Sequence, residues 1–345
     1  MPASAHLIPR SRLKWIPNHL RLAHEYCFFL HDEGVRLLAE YEKERAHIVS
    51  FKFKNKVEAR TFRKISKKED TIAAMRSLGY EVEVRRVILN TITLAMVSDC
   101  LHHTYEALRC LEKRKVVVAL NLFRKPLTDN LLYLSWMLGD EDNFYSAFTM
   151  NSPSGITPSI LKKRRSEILA SALQHTALTS IMDADFINET LFDQTDSSGF
   201  QLLFQHAVHL VTVQKVALRT TSENFNFIFK NHTDDDLYEL VYYSLPRIFL
   251  YLLHVIFGLF KRIAVPDTGS EDAFRVRSVL GLRLVESEKY EVVIGKILTQ
   301  LPLKCPNCSS PLKITAHNAA RLVLSESFRC TKCRHVQPFP FSWIF

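Results

Sequence analysis

Four cysteines near the carboxyl end, Cys305-Pro306-Asn307-Cys308 and Cys330-Thr331-Lys332-Cys333, carry the sharpest chemical meaning in this chain. Each C-x-x-C pair offers two thiols from one tight turn, and the 21 residues between the pairs match the spacing of a structural zinc site. Four thiolates complete a tetrahedron and leave no position for a reacting water, so the role expected of a bound Zn2+ is structural. A redox dithiol is the competing reading of C-x-x-C, and two pairs in one short segment argue against it.

The elements that would hold these turns are short strands. Leu312–Thr315 follows the first pair. Arg321–Arg329 alternates, with Leu322, Leu324 and Phe328 on one face and Glu326 the exception to the pattern. Val336–Phe341 supplies a third strand, its Pro338 and Pro340 suited to an edge. Three strands pinned by two metal knuckles resemble the zinc ribbon family, over about the last 45 residues. The resemblance implies a module whose folding energy comes largely from the metal. It also implies a role in binding nucleic acid, docking a protein or stabilising a terminus.

Charge favours the first of these. From Leu301 onward six basic residues (Lys304, Lys313, Arg321, Arg329, Lys332 and Arg334) face one acid, Glu326. A Zn2+ held by four thiolates carries about −2, which offsets part of that excess. A second cluster runs through Lys52, Lys54, Lys56, Arg60, Arg63, Lys64, Lys67 and Lys68. Local positive patches in a chain of net charge +9 point to a polyanionic partner, against the plainer reading of solvated surface.

The preceding 300 residues read as helical. Hydrophobic residues make up 47% and glycines number only 9, too few for a fold of many tight turns or phosphate-cradling loops. Helices are expected over Pro17–His47, Val84–Lys113, Val116–Leu138 (kinked or restarted at Pro126), Leu161–Leu173, Phe186–Phe192 and Phe200–Thr212. Thr233 is expected to cap a further helix that Pro246 either kinks or breaks into a new segment ending near Arg262, and residues 271–298 to form two short helices. The basic stretch 51–68 lacks an apolar stripe and reads as a helix edge or connector, and 150–158 as a loop. The fold class is therefore mainly α: a tail at 1–16, a multi-helix bundle over 17–300 and a small β-rich zinc ribbon at 301–345. The apolar run Ile248–Phe260 is shorter than a membrane span and reads as a buried core helix. Three cysteines outside the pairs, Cys27, Cys100 and Cys110, read as free thiols, and no leader segment is evident, so a cytoplasmic location is expected.

The long helices around 84–138 and 198–262, and the texture of Ala119–Leu138 and His206–Gln214, resemble bacterial HEPN-type proteins of antiviral defence and toxin systems. That resemblance implies an Arg-x(4–6)-His pair, the histidine serving acid–base chemistry and the arginine steadying phosphate in a metal-independent ribonuclease. Three pairs fit the spacing: Arg12/His19, Arg247/His254 and Arg329/His335. The first spans a proline and the third lies in the ribbon, which leaves Arg247 and His254. Every residue between these two is apolar, which suits a packed helix. His206 with His209 and Asp99 with His103 are further polar pairs at helical spacing, each more simply read as packing or capping. The chain has no glycine-rich phosphate loop, no G-x-S-x-G and no H-E-x-x-H. The reading that follows is a non-enzymatic, zinc-binding helical protein that binds RNA or DNA, with a protein partner or a second copy on its helical surfaces and no membrane contact. The alternatives are the Arg247/His254 ribonuclease and a protein-interaction scaffold whose zinc ribbon is purely structural.

Overall fold

The computed structural model describes residues 5–45, 48–150, 153–196, 199–211, 220, 222–223, 225, 235–287, 292–294, 296 and 304–343. It is mainly helical, with one small antiparallel sheet near the carboxyl end. The helices are α1 (Arg21–Lys43), α2 (Lys56–Ser66), α3 (Thr71–Ser77), α4 (Glu81–Leu111), α5 (Val116–Lys125), α6 (Leu131–Gly139) and α7 (Glu141–Met150). There follow α8 (Pro158–Leu161), α9 (Arg165–Gln174), α10 (Ala184–Phe192), α11 (Phe200–Val208), α12 (Asp236–Lys261), α13 (Thr268–Glu286) and α14 (Ala316–Ser325). The strands β1 (Ser327–Arg329) and β2 (Val336–Pro338) pair in antiparallel register, Phe328 opposite Gln337.

Two helices are buried all round over part of their length and form the centre. In α1 the consecutive residues Tyr26, Cys27, Phe28, Phe29 and Leu30 are all buried, and α12 is buried from Ile248 through Phe257. Apolar stretches of this kind must be covered all round. α1 is covered by α4, α12, α13 and α14, while α6 bridges α9 and α12. Pro246 lies inside α12 and does not end it, so the expected break is a single 26-residue helix. By length and composition alone α12 could cross a membrane, yet 83% of its apolar window is buried inside the molecule. The break at Pro126 takes a specific form: residues Pro126–Asn130 are one π-helical turn between α5 and α6. The residues expected as two short helices begin with one, α13, and Thr233 lies outside the described residues.

Three segments differ from expectation for identifiable reasons. Residues expected to form a tail carry buried Ala5, Ile8, Leu13 and Ile16. The buried carboxylate of Glu25 accepts the N–H groups of Ala5, Leu7 and Ile8 and fastens this segment to α1. The basic connector is an ordered helix, α2, with Asn55 capping it through Glu58 N–H at 2.9 Å. Its apolar support comes from outside its own stripe. Phe51 and Phe62 pack on Met75, Tyr80 and Val84 in a separate small cluster with Ile72, Leu78 and Ile88. Third, the alternating segment Arg321–Arg329 is helical up to Ser325, and only its last three residues are a strand. Thr315 and Asn318 form a reciprocal capping box, and Ala319, Ala320, Leu322, Val323 and Leu324 are all buried, a width of burial a two-faced strand cannot supply. Leu312–Thr315 is not a strand; before it, Lys304 and Pro311 make an isolated bridge.

The ribbon and the bundle share one core. Cys305, Leu322, Phe328, Phe339 and Phe341 belong to the same buried cluster as Tyr26, Phe29 and Leu282. Arg277 of α13 joins them. Its guanidinium donates to the carbonyls of Val323 (2.9 Å) and Leu324 (3.1 Å), and pairs with Glu33 of α1 and Glu326, both at 3.0 Å. The two carbonyls are among those a helix end leaves without partners. Burial pulls the Arg277 pKa down, and Glu33 and Glu326 push it back up. Beside it, Gly281 lets three helices close: a Cβ there would stand 2.6 Å from Tyr26 Cε2 and 2.8 Å from Leu324 Cδ2. Arg277→Ala leaves buried Glu33 with Arg36 as its one remaining ion-pair partner, strips the Val323 and Leu324 carbonyls of their donor, and is expected to cost about 3–5 kcal/mol. Gly281→Ala overpacks the same junction at about 1–3 kcal/mol. Chemical denaturation of both variants checks these values.

Candidate metal centre and basic surfaces

The four cysteines of the two C-x-x-C pairs converge. Their Sγ atoms lie within 4.8 Å of one another, with Cys305 to Cys333 at 3.6 Å and Cys308 to Cys330 at 3.7 Å. They form a donor set that could hold a metal ion, and among the described residues no other such group of three or more occurs. Both turns share one design. Ser309 N–H donates to Cys305 O (2.8 Å) and Cys305 N–H to Ser310 O (2.9 Å). In the second turn Arg334 N–H donates to Cys330 O (3.0 Å) and Cys330 N–H to His335 O (2.8 Å). Closing each turn requires a left-handed residue straight after the second cysteine: Ser309 (φ 54°) and Arg334 (φ 62°).

The surroundings favour thiolates. The hydroxyl and N–H of Ser310 hold the Cys308 thiol down to about 6. The Asn307 side chain and then the His335 N–H lower Cys333. Cys305 runs the other way, to about 11, because burial penalises its charge and the adjacent sulfurs add to the cost. A cation at the centre removes that penalty. The remaining cysteines lack this setting. Cys27 and Cys100 are buried and their thiols are pushed up by desolvation, Cys100 to about 12.

The cations expected on the ribbon are mostly free. Lys304, Lys313, Arg329, Lys332 and Arg334 are exposed, whereas Arg321 is half-buried and donates to Ser327 Oγ at 2.8 Å. On and around α2, Lys52, Lys54, Lys56, Arg60, Arg63, Lys64, Lys67 and Lys68 are all exposed. None of these thirteen makes an ion pair among the described residues. The acid inside the α2 stretch, Glu58, is occupied by the Lys54 N–H and the Tyr80 hydroxyl. Several arginines of the bundle contrast with them: Arg12 pairs with Glu112, Arg85 and Arg262 with Glu141, Arg109 with Glu112 and Arg283 with Glu286.

Arg247 and His254 both face α13, as two helical turns of separation require, but each is engaged there. Arg247 pairs with Glu286 at 2.7 Å and lies over the Phe186 ring. His254 is buried, its Nε2 3.0 Å from Ser278 Oγ and its ring 5.0 Å from that of Phe274. Desolvation holds its pKa down at about 3, so it is a neutral packing residue near pH 7. Asp99 and His103 do meet, at 3.4 Å, and Asp99 also accepts from Lys125 and Asn130. His206 is buried in α11 while His209 lies exposed beyond its end, so the pair does not form a ligand set.

No family model matches the chain, and neither a curated protein nor a solved structure is significantly similar to it.

Metal analysis of reduced, purified protein is expected to give one ion per chain, and Cys330→Ser to lose it together with part of the thermal stability. A second expectation concerns pH. Below about 6.5 an unfolded histidine binds a proton that folded His254 refuses until about pH 3, so the unfolded state gains protons first and stability falls with pH across that window. This group alone contributes up to about 1.4 kcal/mol per pH unit. His254→Gln should flatten the acid limb of a stability-versus-pH curve.

Proposed function

We propose that this is a zinc-stabilised helical protein that binds nucleic acid and acts by binding or assembly. The observation that carries the reading is the sorting of its charge. Many arginines of the bundle are neutralised in pairs, and the bundle's unpaired cations, such as Arg10, Lys43, Lys113 and Arg124, are scattered, while thirteen exposed ones without ion pairs among the described residues are concentrated on two short stretches, α2 with its flanks and the ribbon. Between residues 51 and 68 eight cations face Glu58 alone, a formal +7. A field of this kind attracts a phosphate backbone and says nothing about base sequence.

Zinc is the ion that best fits the donor set. A tetrahedral ion with four Zn–S bonds of about 2.3 Å requires sulfurs about 3.8 Å apart, and the two closest pairs stand at 3.6 and 3.7 Å. Its net charge of about −2 with four thiolates leaves the ribbon less positive than its residue count implies. α2 therefore carries the larger share of the binding, and Lys304, Lys313, Arg329, Lys332 and Arg334 extend it. The HEPN resemblance is what supports a bacterial defence setting and the ribonuclease alternative; loss of RNA cleavage in His254→Ala would favour the latter.

Affinity for a single-stranded oligonucleotide, measured against salt, is expected to fall with a log–log slope steeper than about −4, since six or more neutralised phosphates give about −0.7 each. Replacing Lys56, Arg60, Arg63 and Lys64 by Gln should flatten that slope by about 2–3. Absence of binding at low salt would leave the protein-interaction scaffold as the better reading.

A further inference from the structure

A cavity of about 490 Å³ opens beside the π-helical turn, lined by none of the residues of α2 or the ribbon. One wall is a single helical face: Asn121, Arg124, Lys125, Thr128, Asp129 and Leu132 follow the i, i+3, i+4 spacing through α5, the π-turn and α6. Opposite stand Arg165 of α9, Phe192 of α10 and Gln201 of α11. π-turns widen a helix locally and recur at functional sites.

Three cations and one carboxylate line this space. Lys125 is committed to Asp99 at 2.8 Å. Arg124 is exposed and has no ion pair among the described residues. Arg165 is the unusual one. Its guanidinium lies 4.2 Å over the Phe192 ring, and its buried Nε has no hydrogen-bond partner. Buried Arg277 donates through Nε and both Nη atoms, whereas the Nε of half-buried Arg165 has no acceptor among the described residues. An unsatisfied buried donor carries a desolvation cost that a bound acceptor removes. Among the described residues the Gln201 amide makes no hydrogen bond, and Asn121, which donates to Ala207 O at 3.2 Å, keeps its carbonyl oxygen available.

We propose that this cavity binds a nucleotide of one base, its phosphate held by Arg124 and Arg165 and its base edge met by the amides of Gln201 and Asn121. The volume suits such a ligand and far exceeds inorganic phosphate. Guanidinium groups grip phosphate oxygens through charge-assisted bonds, and an amide offers both donor and acceptor to a base edge. Asp129 faces the same space and disfavours a second phosphate on its side. The assignment is independent of the polyanion surfaces.

Calorimetric titration of the intact, metal-loaded chain with AMP, GMP, CMP and UMP tests it, with the nucleosides and inorganic phosphate as controls. The expected result is saturable binding of at least one nucleotide at one site per chain. Nucleosides should not bind, and phosphate should bind at least about tenfold more weakly. Arg124→Gln and Arg165→Gln should each weaken binding by about tenfold or more, the loss of one charge-assisted contact. Arg124 is exposed, so its variant keeps the test sound if the Arg165 variant folds poorly. The chain with Lys56, Arg60, Arg63 and Lys64 replaced by Gln should keep its nucleotide affinity. The proposal is overturned if none of the four nucleotides binds at low salt, if Arg124→Gln binds as tightly as the parent, if phosphate alone binds equally well, or if the α2 replacements abolish binding.

Discussion

The buried guanidinium of Arg277 is the contact on which the architecture turns. A cation with so little access to water is tolerable only if every donor is used and the charge is compensated. Glu33 supplies a carboxylate from the central helix, Glu326 another from the ribbon, and Val323 and Leu324 their unpaired carbonyls. The partners come from two distant parts of the chain, Glu33 in α1 and the stretch 323–326 at the end of α14, and meet on Arg277 only when α1, α13 and α14 are in place. Glu326 then does a second job. In a left-handed conformation (φ 43°) it ends α14, and it accepts the N–H of Phe339 through its carbonyl and that of Phe341 through its carboxylate, both at 2.7 Å. Glu326 thus adds a polar tie between the four-cysteine module and the bundle to the core they share.

This attachment changes what the four-cysteine module is. A free-standing ribbon would rely on its ion for nearly all its stability. Here α14 buries its apolar face on α13 and α1, and Phe328, Phe339 and Phe341 extend the main core. The metal site organises the last turns and β1–β2, and the bundle organises the rest.

The four-cysteine cluster was legible because its chemistry is local: two cysteines three apart define a turn whatever surrounds it. The helical class was legible from glycine scarcity and periodicity, and α4 and α12 follow it closely. Arg321–Arg329 misled because Leu322, Leu324 and Phe328 alternate as a strand would, while the decisive signals were Thr315 with Asn318 at a helix start. Glu326, the residue that broke the strand pattern, was the clue to the change of structure. The α2 helix was obscured because its apolar partners, Phe51, Tyr80 and Val84, lie outside it in sequence. Arg165 carried no signal of its own, although the polar stripe from Asn121 to Asp129 on an otherwise apolar segment did. What depends on long-range pairing, as with Arg277 and Glu33, cannot be read from spacing.

The Glu25 clasp has a consequence for how the molecule comes apart. Its carboxylate holds the amides of Ala5, Leu7 and Ile8, and the Ser325 hydroxyl donates to the carbonyl of Ala5 at 3.3 Å. The opening segment is therefore latched from both sides, by the central helix and by the end of α14. Withdrawal of the ion at the far end of the sequence should be felt at residue 5 as faster amide exchange, making the beginning of the chain a reporter for its end.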